Sequence, residues 1–248
     1  MKADYQLILA SAPLHPMTSP PAPLQVERVA RELQAIDTLI PQVEDWQALA
    51  LLLIDRGTAP LLYRTMSKEQ RVMTLPPAAF AMLRKAYYKT LSKNTLIYQE
   101  FGSLSEILRT NAIPFITLKG ICMAEWLYGD IGLRQMSDID ILVQEEDGHR
   151  CLEALKQAGY VTIQDYTVDE FVDMKSQNHF NPLFRNDVMV EIHIRLQNTR
   201  EIYQQNLKEV WRDAVPVETR SLTSHVQTFH VTSVHYKNVG HISSTLTD

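Results

Sequence analysis

Apolar residues recur three or four apart through roughly the first hundred positions and two apart through several later segments. Val26, Val29, Ala30, Leu33, Ile36 and Ile40 fall at helical spacing, and Pro41 closes the run. Asp45 is placed to cap a second helix through Trp46, Leu49, Leu52 and Leu53, with Gly57 as its stop. Residues 60–66 predict a third, short helix. Pro76 and Pro77 open a long one, in which Phe80, Leu83, Tyr87, Leu91, Tyr98, Phe101, Leu104 and Leu108 keep to one face.

At Ile113 the pattern changes. Residues 114–118 (PFITL) read as a short strand, followed by Lys119-Gly120 and a helix over 121–128. A glycine-containing loop spans 129–137. Ile139, Ile141 and Val143 then alternate with Asp138, Asp140 and Leu142, which predicts a strand buried on one face. A helix is expected over 145–158, with Leu152, Leu155 and Ala158 inward and Gly159 at its C-terminal end. Strands are expected at 160–164, 178–184 and 188–195, the last two joined by a turn at Arg185-Asn186-Asp187. A further helix covers about 201–211. The chain thus divides into a proline-rich lead-in (1–23), a helical region (24–111), a β-containing core (112–198) and a C-terminal region expected to be mostly helical (199–248). The class is α+β.

Composition narrows the function. The chain has 248 residues, 45% of them hydrophobic, enough to bury a sizeable core. A net charge of −5 argues against a protein whose task is to coat nucleic acid, and no strong nucleic-acid signature is present. A local basic pocket stays compatible with it. Cys122 and Cys151 make neither a disulfide framework nor a CxxC metal motif, which fits a reducing cytoplasm. No apolar run approaches the roughly 18–20 residues of a membrane span, and the N-terminus does not read as a secretion signal.

The chemistry gathers on the later strands. Asp138 and Asp140 leave the same strand face, with Cα atoms roughly 6–7 Å apart. Parallel carboxylates repel unless a cation lies between them. Hard oxygen donors of this kind suit Mg²⁺ together with substrate phosphates. In VMVEIHI, Glu191 and His193 oppose the apolar Val190 and Ile192. A strand paired beside the first would bring Glu191 to Asp138 and Asp140, a set able to hold two metals. The alternative is a solvated acidic strand face. Gly120, between a strand and a helix, allows close backbone approach to an anion, and Lys119 can add a charge on a phosphate. No Walker A loop is present. Arg134 is read either as a phosphate ligand or as a salt-bridge partner. His193 can orient a carboxylate, contact a base, act as a base or serve a structural role. His225, His230, His235 and His241 lack the spacing of a helical metal pair.

LKGICMAEWLYGDIGLRQMSDIDILV, an acid-rich helix ending in AGY, and VEIHIRL occur in an order that resembles the uncharacterised nucleotidyltransferase family, within the DNA polymerase β-like nucleotidyltransferase superfamily. The resemblance covers roughly 113–196, and WQALALLLIDRGTAPLLYRTM is similar to the family's N-terminal region. It implies a small mixed sheet flanked by helices, and metal-dependent transfer of a nucleoside monophosphate from an NTP to an acceptor hydroxyl. By motif, Asp138, Asp140 and Glu191 would bind Mg²⁺ or Mn²⁺, and Gly120 would belong to the phosphate loop. The superfamily usually carries Gly-Ser or Gly-Gly where this chain has Lys119-Gly120. The acceptor (a protein, an RNA end or a small molecule) is left open. The segment from His230 onward resembles the start of a C-terminal helical domain, so the chain is expected to be a shortened form or a fragment. Two other readings stand: a non-catalytic, antitoxin-like or partner-binding module, and a metal-dependent phosphohydrolase or nuclease.

Overall fold

The computed structural model describes residues 34, 36–68, 75–126, 128–162, 179–196, 207–212, 214–218 and 227–231. The proline-rich lead-in and the start of the first predicted helix lie outside them. Residues 36–39 are helical and run into a 3-10 turn at Ile40–Gln42. Asp45 caps α1 (Trp46–Asp55) as its position predicts, accepting from the backbone N–H groups of Gln47 at 3.0 Å and Ala48 at 2.9 Å. Gly57, at φ 71, then turns the chain into α2 (Ala59–Lys68).

The long helix α3 (Pro77–Thr110) has 34 residues, or roughly 50 Å at 1.5 Å per residue. It serves two cores. Leu83 and Ala86 pack with Ile36, Leu49, Leu53, Leu62 and Met66 of the N-terminal helices. Farther along, Ile97, Tyr98, Phe101, Leu104 and Leu108 pack beneath the sheet. One apolar stripe therefore holds the helical region to the β-containing region.

The sheet grows from β1 (Phe115–Leu118), α4 (Lys119–Trp126) and β2 (Asp138–Val143). After a 3-10 turn at Glu145–Asp147 come α5 (Gly148–Gln157) and β3 (Val161–Thr162). β4 (Leu183–Arg185) and β5 (Val188–His193) form a hairpin. Asn186 and Asp187 both take positive φ (51° and 60°), as a two-residue type I′ turn requires. α6 (Leu207–Arg212), β6 (Ala214–Glu218) and β7 (Gln227–Val231) follow. The seven strands lie in the order β3-β4-β5-β2-β1-β7-β6. The sheet is mixed: β2 runs parallel to β5 and antiparallel to β1, and β1 runs parallel to β7. The fold is α+β with a helical N-terminal region, as the sequence predicts.

Two features differ from the sequence reading. β2 is buried on both faces rather than one. Ile139, Ile141 and Val143 enter the core above α3, while Leu142 and its cross-strand partner Ile116 are covered by Val210 of α6. The described residues after 199 include two strands beside one short helix, where mostly helix was expected. They extend the sheet past 198. Pro216 lies in β6, an edge strand, where the missing N–H is tolerated.

A buried polar tie fixes the hairpin to α3. Glu100 accepts from the Tyr160 hydroxyl, from Arg185 Nε at 2.7 Å and from Asn186 Nδ2 at 3.0 Å. The Arg185 guanidinium also lies 4.3 Å from the centre of the Tyr160 ring. Burial of Glu100 is tolerated because its oxygens are bonded, and removing it strands a largely buried cation. Glu100→Ala should therefore lower stability in urea melts by about 3 kcal/mol. A loss below about 1 kcal/mol would show the tie to be dispensable.

Candidate active site

Three carboxylates project from two adjacent parallel strands. The register pairs Asp140 with Glu191 and Asp138 with Met189, so the period of two puts all three acids on one face. The apolar partners Ile139, Ile141, Val190 and Ile192 are fully buried on the other face and hold the strands in that register. Further along the same face, His193 stands beside Leu142.

Asp140 is the centre of the group and is buried. Two donors converge on its Oδ1: Lys119 Nζ at 2.6 Å and His193 Nε2 at 2.8 Å. An ionised carboxylate only accepts, so His193 Nε2 carries a proton in this arrangement. The imidazole Nε2 is also 3.5 Å from Glu191 Oε2. Ligand atoms of Asp140, Glu191 and His193 all lie within 4.8 Å of one another. Asp138 is outside that group, half-buried, and its Oδ1 accepts from the Ser137 hydroxyl at 3.0 Å.

Electrostatics follow from this geometry. Burial pushes the Asp140 carboxyl up. The hydrogen bonds from His193 and Lys119 and their charges outweigh it and hold the group below its ordinary range. Burial likewise pulls Lys119 down, but the bond to Asp140 and the negative charges of Asp140, Glu191 and Asp138 leave it raised.

The phosphate-loop candidates meet at the start of α4. A β-carbon on Gly120 would sit 3.1 Å from Met136 Sδ and 3.3 Å from Arg134 Nη1. The missing side chain thus lets the Arg134 guanidinium lie against the first turn of the helix. Lys119, one residue earlier, takes a left-handed φ of 46°. The structure therefore sets Lys119 against Asp140 and Arg134 against Gly120, both at the start of α4.

Several supporting residues were not singled out from the sequence. Asn94, fully buried on α3, donates to the carbonyl oxygens of Ile131 and, at 2.7 Å, Arg134, and so fixes the loop that carries the arginine. The Tyr98 hydroxyl donates to Ile121 O at 2.8 Å and anchors α4. Tyr87 donates to Asp130, at 3.0 Å to Oδ2, and Asp130 in turn accepts from the Gly132 N–H at 2.8 Å. A signal existed for Asn94: it is a polar residue on the apolar face shared by Tyr87 and Tyr98. His179, a residue that the sequence does mark as opening the strand expected at 178–184, bridges to His193, and their rings stand 5.3 Å apart. Its Nδ1 donates to Phe180 O at 2.9 Å.

The donor set fits a hard divalent cation: carboxylate oxygens from two strands, with an imidazole adjacent. It equally provides a carboxylate, Glu191, able to accept a proton at the edge of the cluster.

A family model described as "Uncharacterised nucleotidyltransferase" matches residues 42–236. No curated protein matches the chain.

The Asp140 carboxyl, held below its ordinary range, gives a signed test. The stability contributed by a group with a lowered folded pKa is complete above its unfolded pKa, about 3.9 for aspartate, and is lost as pH falls through the folded value. A carbon-13 NMR titration of the metal-free protein should place the Asp140 midpoint below about 3.9. A midpoint at or above that value would contradict the assigned hydrogen bonding.

Proposed function

The chain belongs to the uncharacterised nucleotidyltransferase family, and on that premise we propose that it moves a nucleoside monophosphate from an NTP to an acceptor hydroxyl, with a divalent cation as cofactor. The observation that carries this reading is the in-register pairing of Asp140 with Glu191 on adjacent parallel strands, with the start of α4 beside them. A solvated acidic face would not bury Asp140 or aim an ammonium and an imidazole at one of its oxygens.

Asp140 and Glu191 would hold the cation, Mg²⁺ or Mn²⁺, with Asp138 on the same face as the third carboxylate. When bound, the cation supplies orientation and charge neutralisation at the α-phosphate. The first backbone N–H groups of α4 at Gly120 and the Arg134 guanidinium bind phosphate oxygens. Glu191 takes the proton from the acceptor hydroxyl. The acceptor oxygen forms its bond to the α-phosphorus as the bond to the β-phosphate bridging oxygen breaks, and pyrophosphate leaves. His193 holds the Asp140 carboxylate in position. No described helix is long and apolar enough to cross a membrane. A cytoplasmic setting supplies the triphosphate.

A second reading, metal-dependent hydrolysis of the nucleotide's phosphoanhydride as a phosphohydrolase performs it, is favoured by one observation. Such centres use imidazole ligands, and His193 and His179 stand together at the cluster's edge.

Both readings meet in one assay. The protein is incubated with Mg²⁺ or Mn²⁺ and each α-labelled NTP, alone and with cell extract. Transfer of label to a macromolecule or small acceptor is expected. Asp140→Asn should reduce it by more than about 100-fold, beyond what loss of a supporting partner costs. Release of labelled monophosphate without adduct would favour hydrolysis. Label that neither moves nor is cleaved would overturn both.

A further inference from the structure

Lys119 occupies an unusual place for a phosphate-loop residue. Its neighbour Leu118 pairs with Asp140 across β1 and β2. The left-handed backbone at Lys119 turns the chain into α4, and the side chain reaches back to Asp140 instead of leading away from the sheet. An L side chain adopts that backbone only at a cost, so the position is held by something local. Among the described residues, Lys119 Nζ pairs with Asp140 Oδ1, at 2.6 Å.

The hydrogen bonds to Asp140 among the described residues all fall on Oδ1, from Lys119 and His193. That oxygen is therefore already engaged. What remains for a cation is Asp140 Oδ2 with the Glu191 carboxylate. Charge counting agrees. Asp138, Asp140 and Glu191 against one ammonium leave two negative charges, the charge of one divalent cation. A pair of divalent cations beside Lys119 would instead overload the cluster with positive charge before any nucleotide arrived.

We propose that the Lys119 ammonium is a built-in cation of this centre, standing where a second metal ion would otherwise bind, so that the chain takes a single divalent cation. The inference rests on the metal-dependent reading above and refines it. It also separates two roles for Lys119. A lysine that only grips phosphate has no effect on metal count in the absence of nucleotide, whereas one that serves as a resident cation sets that count.

The experiment is a Mn²⁺ titration of the full chain without nucleotide, with free Mn²⁺ counted by its EPR signal. The wild-type chain should bind one Mn²⁺. Lys119→Met should bind two. Lys119→Gly, which suits the left-handed backbone and so guards against a folding failure, should also bind two. Lys119→Arg keeps the charge and should bind one. Two ions in the wild type, or one in both the Met and Gly variants, overturns the resident-cation role while leaving the transferase reading intact. No bound Mn²⁺ in any of the four chains overturns the metal centre itself, and the resident-cation role with it.

Discussion

Asp140 is a carboxylate taken out of water in the middle of a sheet, and the surrounding architecture is arranged around that constraint. Moving such an ion into a protein interior costs several kcal/mol unless charge and hydrogen bonds compensate. Here the compensation comes from two chain segments: Lys119 at the start of α4, just past β1, and His193 at the end of β5. Their convergence requires β2 to lie between β1 and β5, which the sheet order provides. Shift β5 by one residue and Glu191 turns into the apolar core while Val190 faces the acids.

The rest of the molecule steadies that convergence. α3 contributes through different residues at successive turns. Tyr87 and Asn94 hold the loop that delivers Arg134, Tyr98 holds α4, and Glu100 holds the β4–β5 hairpin. The apolar stripe between these contacts buries the same helix against the sheet and against the N-terminal helices. A helix of this length is a rigid ruler, so the loop before β2, the β1–α4 turn and the hairpin share one reference. The helical region is thus part of the support for the site.

Much of this was legible in the sequence. The alternation of Asp138 and Asp140 with Ile139 and Ile141 fixes which side chains share a face, and the same rule places Glu191 and His193 opposite Val190 and Ile192. The Asp45 cap, the long helix from Pro77 and the turn at Asn186-Asp187 are local signals with local causes. What stayed hidden depends on register and distant packing. Lys119 meets Asp140 only because Leu118 falls opposite it and the backbone turns left-handed. The second buried face of β2 depends on Val210, many residues later. The region after 199 reads as mostly helical, without its two strands, because β7 pairs in parallel with the distant β1, and such long-range pairing leaves little trace in a short segment. Asn94 was visible as a polar residue in an apolar stripe, but its carbonyl partners were not.

The central claim is that the buried carboxylate at Asp140, with Glu191 beside it, forms a cation centre. Anomalous diffraction from crystals equilibrated with Mn²⁺ tests it most directly. A manganese peak within bonding distance of Asp140 and Glu191 is the expected result. A well-ordered Asp140–Lys119 pair with no peak beside it, at saturating Mn²⁺, would contradict it.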